Sequence, residues 1–118
     1  MKKTKSTMIY KWDIILVPFP FTDLSTNKKR PALVISPNQY NKSWEVVIAF
    51  ITSNLSSKPR MGDYKIRAWQ KAGLPKPSLI RMRFATIDKS IIIKKIGELT
   101  EIDIEFVQPK LIDFFSKS

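Results

Sequence analysis

The 118 residues predict a mainly β protein: a small, strongly bent antiparallel barrel with one C-terminal helix. Three observations predict it. Short apolar runs rich in β-branched residues recur along the chain, prolines and polar turn residues separate them, and a helical period arises only near the end.

The first run, Trp12 to Phe19 (WDIILVPF), reads as a buried strand, and Pro20 to Lys29 has loop composition. Pro31 to Ser36 is a second strand, Trp44 to Ser53 a third, and Asp63 to Arg67 a short fourth. Trp69 to Pro77 holds Gly73, Pro75 and Pro77, so a helical turn and a loop are expected there. Ser78 to Phe84 is a further strand, and Ile91 to Leu99 is expected to close the sheet. At the end, Thr100 and Asp103 have the spacing of a capping box. Ile104, Val107, Leu111, Ile112 and Phe115 then share a helical face, with Pro109 expected to kink or split the helix.

One domain over 1–118 is expected, with 1–10 as a basic N-terminal extension. A chain of this size buries roughly two-thirds of its unfolded surface, so one core suffices without metal or disulfides. The absence of cysteine suits a reducing cytoplasm. The early apolar stretch is broken by Lys11, Asp13, Pro18 and Pro20, which does not suit an export signal, and no run approaches a membrane span. An unexported cytoplasmic protein is expected.

Charge narrows the partners. Twenty-one Lys and Arg against ten Asp and Glu give a net charge of +11 and a pI near 10.0. A field this positive on a small domain attracts polyanions, nucleic acid first and an acidic protein second.

Several segments can carry chemistry. In Lys28-Lys29-Arg30-Pro31 the proline belongs at the first position of a strand and biases Arg30 toward an extended backbone. A guanidinium fixed at such a junction can grip a phosphate through two parallel hydrogen bonds. Taken alone, an ordinary solvated basic turn explains the motif as well. Thr52, Ser53 and Asn54 follow an apolar strand; their hydroxyls and amide suit phosphate and base edges, or simply a turn. Arg81 and Arg83 share a strand face and form either a phosphate track or a solvated exterior.

What is missing restricts the reaction. Without His or Cys there is no imidazole base and no thiolate nucleophile, and three glycines form no phosphate loop. The acids lack the pairing of a two-metal clamp, so neither metal nor cofactor is expected. RNA cleavage by its own 2′-OH suits this inventory, because the substrate supplies the nucleophile.

Five blocks in order give the chain a resemblance to the MazF/PemK (Kid-like) toxins of type II toxin–antitoxin systems. They are Asp13 to Leu24, Lys29 to Ser36, Ile51 to Asn54, Ala72 to Ser78 and Thr86 to Ser90. The resemblance implies an SH3-like barrel of the CcdB/PemK type, usually a homodimer. It implies a sequence-specific endoribonuclease (an mRNA interferase) that cuts single-stranded RNA without metal. The products implied are a 2′,3′-cyclic phosphate or 3′-phosphate and a 5′-hydroxyl. The family's catalytic arginine and threonine fall on Arg30 and Thr52. RNA binding is expected from Lys28, Lys29, Phe21, Ser53, Asn54, Ser78, Arg81 and Arg83, with Phe19 or Phe21 stacking on bases. The loop from Phe19 to Lys29 matches the family's mobile substrate-gating loop, and Asp13 matches an acid whose expected role is structural. A cognate acidic antitoxin is the implied protein partner. Trp12 stands where the family usually has Gly, which predicts a rearranged entry to the barrel. Two rivals share the fold or the charge: a CcdB-like gyrase-binding toxin and a plain nucleic-acid-binding barrel.

Overall fold

The computed structural model describes residues 8–20 and 28–118. The expected stacking residue Phe21 and most of the 19–29 loop lie outside the described residues, as does most of the basic extension.

Six strands form one antiparallel sheet: β1 (Asp13–Pro18), β2 (Lys29–Val34), β3 (Glu45–Thr52), β4 (Tyr64–Lys65), β5 (Leu79–Asp88) and β6 (Lys94–Glu98). Their order is β4-β5-β3-β2-β1-β6, and α1 (Glu101–Ser116) follows the last strand. The predicted mainly β architecture with a C-terminal helix is therefore present. Strand alternation sends side chains into two clusters. Ile14, Leu33, Ala49, Ile51 and Ile80 pack with Val107 and Leu111 of α1. Ile15, Val17, Ala32, Val34, Val46, Ile48 and Ile87 pack with Ile9.

The sheet does not close through β6, contrary to expectation: β6 and β4 are its two edges. The turn at Ala72-Gly73 instead lies against the backbone of β6. A Cβ on Gly97 would sit 1.9 Å from the Ala72 carbonyl oxygen, and one on Gly73 would sit 2.2 Å from that of Ile96. Only glycine permits this backbone-on-backbone approach.

Pro31 is the third residue of β2, not the first as expected. The reason is that β2 starts on one side only. Lys29 and Arg30 pair with Pro18 and Val17 of β1, whereas the ladder to β3 begins at Ala32. Pro31 thus stands where the second ladder starts, the place a residue without an amide hydrogen tolerates.

The helix α1 is neither split nor ended by Pro109. Proline leaves the Glu105 carbonyl without its helical donor, and both residues are exposed, so water can replace the lost partner. The predicted apolar face is only partly buried: Val107 and Leu111 are covered, whereas Ile112 and Phe115 are exposed. The capping box is replaced by a tertiary pin. Buried Asp103 accepts hydrogen bonds from the Tyr64 hydroxyl (2.6 Å) and the amides of Arg67 (2.8 Å) and Ala68 (2.9 Å). Burial and the Asp103 carboxylate push the Tyr64 phenol up from its ordinary value.

Trp12 itself takes a φ of +78°. Its amide donates to Val34 (2.7 Å) and its carbonyl accepts from Leu99 (2.9 Å). The mismatch predicted at this position is therefore held as strain at one residue, on the order of 1–2 kcal/mol. Neighbouring Asp13 is buried, accepting from the Tyr10 amide (2.7 Å) and pairing with Lys95 (3.1 Å).

Candidate nucleic-acid interface

The β2–β3 register sets Ala32 opposite Phe50 and Leu33 opposite Ala49. Continued past Pro31, the same register brings Arg30 opposite Thr52. Residues opposite one another in antiparallel strands project from the same face. Arg30 and Thr52 accordingly line a common cleft of about 300 Å³ with Lys29, Ser53, Asn54 and Ser78. A smaller adjoining hollow, about 170 Å³, is lined by the same pair with Phe19, Phe50, Arg81 and Arg83.

The groups in the cleft differ in how free they are. Thr52 Oγ1 accepts from the Asn54 amide at 3.1 Å, which leaves the hydroxyl hydrogen to donate elsewhere. The Asn54 side-chain oxygen accepts from Ser56 (3.0 Å), so its NH₂ is the available half. Ser78 is buried and donates to the Lys76 carbonyl (2.9 Å), which makes it a wall more than a donor. Lys28 is exposed at the start of the segment, and its carbonyl accepts from the Phe19 amide (3.0 Å).

Around the smaller hollow, cations and rings alternate. Arg30 lies 5.8 Å from the centroid of Phe19, Phe19 meets Phe50 edge-on at 6.1 Å, and Arg83 lies 4.8 Å from the centroid of Phe50. Such stacked cations keep their charge while losing rotamer freedom.

The two strand arginines part company here. A register shift beside Phe50 leaves Arg81 and Arg83 on one face, as predicted, and both reach the hollow. Arg81, however, is held by Asp63 through two bonds, Nε to Oδ1 at 3.1 Å and Nη2 to Oδ2 at 2.9 Å. The Asp63 hydrogen bond raises Arg81 above its ordinary value. Burial works to raise the Asp63 carboxyl, but the bonds from Arg81 and the Arg60 amide, with both positive charges, hold it below its usual range. Arg81 thus braces the wall, and Arg83 is the exposed cation of the pair.

Sequence reasoning missed Phe50 and Lys76. Phe50 read as one more apolar strand residue; only pairing with Ala32 reveals which face it takes. Lys76 lines the cleft, and its placement between Pro75 and Pro77 was the available signal of an extended, outward-held cation. Among the described residues no three Asp or Glu side chains gather as a metal-holding group, and no helix is long and apolar enough to cross a membrane.

Comparison with known proteins fits this geometry. Among curated protein sequences none matches the chain. The fold is similar to an endoribonuclease from a mycobacterial species solved in complex with its cognate antitoxin (TM-score 0.74, 14% identity, covering 93% of this chain and 97% of that one). It is also similar to MazF in a MazE–MazF structure from Deinococcus radiodurans (TM-score 0.72, 19% identity, 96% and 100%). A third similar structure is the Mycobacterium tuberculosis toxin MazF-mt6 (TM-score 0.69, 18% identity, 90% and 98%). A family model matches residues 10–115, nearly the whole chain: this protein belongs to the PemK-like, MazF-like toxins of type II toxin–antitoxin systems.

Proposed function

We propose that the chain is a sequence-selective endoribonuclease toxin that cleaves single-stranded RNA without a metal ion. One observation carries the reading: a guanidinium at position 30 and a hydroxyl at position 52 project from one face of adjoining strands into a shared cleft of about 300 Å³, roomy enough for a nucleotide's phosphate and its neighbours.

In the proposed reaction the substrate's 2′-oxygen bonds to the adjacent phosphorus as the bond to the 5′-oxygen breaks. The 2′-OH proton is lost and the leaving oxygen gains one. The products are a 2′,3′-cyclic phosphate, which water can open to a 3′-phosphate, and a 5′-hydroxyl. Arg30 stabilises the charge that builds on the phosphorane oxygens, and Thr52 donates its hydroxyl hydrogen to one of them. A guanidinium stays protonated at physiological pH and is a poor general base, so the part given to Arg30 is electrostatic. Lys28, Lys29, Lys76 and Arg83 guide the backbone, while Asn54 and the Phe19–Phe50 pair meet bases.

The partners proposed are single-stranded RNA, a second copy of the chain, and an acidic antitoxin in the same cytoplasm. Net charge of +11 supports an acidic partner, as does the mycobacterial neighbour solved with its own antitoxin. A gyrase-binding role gains nothing from a convergent arginine and threonine, so that reading is not favoured.

The test is incubation with long single-stranded RNA in excess EDTA. Discrete cuts with 5′-hydroxyl ends are expected, and they should vanish in Arg30→Ala and fall at least about tenfold in Thr52→Val. Intact RNA from a folded wild-type protein overturns the proposal.

A further inference from the structure

A cavity of a different kind is formed by the loop between β5 and β6 with the segment that enters β3. It measures about 740 Å³, within the roughly 300–1,000 Å³ of ligand-sized clefts. β3 runs from this cavity, beside Glu45, to the Arg30 cleft at Thr52. At about 3.4 Å per residue the Trp44 end lies roughly 25 Å from Thr52, whereas Lys94, opposite Leu16 and so two strands from Pro31, is at the end nearer the cleft.

Its lining is chemically lopsided. Lys42, Lys89, Lys94 and Lys95 face a single carboxylate, Asp88, which accepts from the Ser90 amide at 2.8 Å. Lys89 donates to the Asn41 carbonyl, and Lys95 pairs with Asp13 and Glu98. Lys42 and Lys94 have no such partner among the described residues and are exposed. Beside them Trp44 is 83% exposed, its indole held out at the strand entrance.

Lone exposed apolar residues are common. A whole indole presented to water in one cavity with two exposed lysines is a different combination: it matches the stacking platform and phosphate track that sequence-tolerant single-strand binders use. An amphipathic peptide would need several apolar anchors at helical spacing, and beside Trp44 the cavity offers only Ile93 as an exposed one. We infer that this groove is a second binding surface for single-stranded RNA, separate from the cleavage cleft. A base stacks on Trp44 while Lys42 and Lys94 hold the flanking phosphates. The choice of RNA as ligand rests on the ribonuclease reading; the groove's anion-plus-base chemistry stands without it.

The surface would hold flanking RNA while the cleft at Arg30 samples it for a cut site. The test uses full-length protein carrying Arg30→Ala, to abolish cleavage, and a labelled oligouridylate as probe. Adding Trp44→Ala should weaken binding on the order of tenfold, with Trp44→Phe restoring much of it. Adding Lys42→Ala with Lys94→Ala should lower the slope of log affinity against log salt by about 1.4. These positions are exposed, so the variants should fold, which circular dichroism checks. Unchanged affinity in both folded variants overturns the inference. So does polyglutamate binding more tightly than oligouridylate with the same Trp44 dependence, which would assign the groove to an acidic polypeptide. If wild type fails to cleave RNA yet these binding effects appear, the ribonuclease reading fails and the surface stands.

Discussion

Arg81 and Asp63 face each other across the β4–β5 end of the sheet as a two-point ion pair, each side chain only about an eighth exposed (12% and 13%). That pair fixes the wall beside the Arg30 cleft and leaves the neighbouring Arg83, two residues along β5, as the exposed cation of the hollow. Two residues that look alike in sequence therefore have opposite expected phenotypes.

Removing either partner strands a largely buried charge. Arg81→Ala and Asp63→Ala should each destabilise the fold by about 2–3 kcal/mol in urea denaturation. Arg83→Ala should change stability by less than about 0.5 kcal/mol and raise KM for RNA about three- to tenfold. Equal loss of stability in all three variants would contradict this division.

Asp63 also carries a pH dependence. Its carboxyl titrates below the ordinary value in the folded state, so the unfolded chain binds the proton more readily. The stability it contributes is fully present above the unfolded value, near 3.8, and is lost as pH falls through the lower folded one. Unfolding scans from neutral pH into this acid range should show a shallower decline for Asp63→Asn than for wild type. Parallel curves would show that the pair contributes nothing.

The strain at Trp12 can be separated from its packing. Trp12 lies against the α1-side core, and Lys11 lies 4.9 Å from its ring centroid. Trp12→Ala loses those contacts and keeps the positive φ; Trp12→Gly loses the same contacts and releases it. The glycine variant should therefore be more stable than the alanine variant by about 1 kcal/mol. The reverse order in thermal denaturation would refute a left-handed residue at this position.

Gly97→Ala should be among the most damaging small substitutions, costing about 3 kcal/mol or more. The added carbon meets the Ala72 carbonyl, and backbone cannot swing aside. At Gly62 the nearest atom to an added carbon is the movable Met82 side chain, 2.4 Å away, although its φ of +84° adds strain. Chemical denaturation of both variants should rank Gly97→Ala as the less stable.

Asp103 pins α1 to β4 and the segment after it. Asp103→Asn keeps the shape but replaces one acceptor oxygen by a donor facing either the Tyr64 hydroxyl or the loop amides. A loss of about 2 kcal/mol is expected, measured by denaturation, with Tyr64→Phe losing less.

The amino-acid sequence by itself determined the strands and the C-terminal helix, whereas it singled out Arg30 and Thr52 only through the resemblance to a family. Local pattern suffices for the elements: β-branched runs and turn residues act over a few residues. Tertiary structure alone decided which like residues do unlike things. Arg81 is tied to Asp63, distant in sequence, and Phe50 faces the hollow because of its partner in β2. Asp103 looked like a helix cap and became a pin between α1 and the loop after β4. Pro109 did not break the helix, since the Glu105 carbonyl that it leaves without a donor is on an exposed residue open to water. The physical reason is common to all four. Pairing of charges, choice of face and access to water depend on what lies opposite in space, and neighbours along the chain do not specify it.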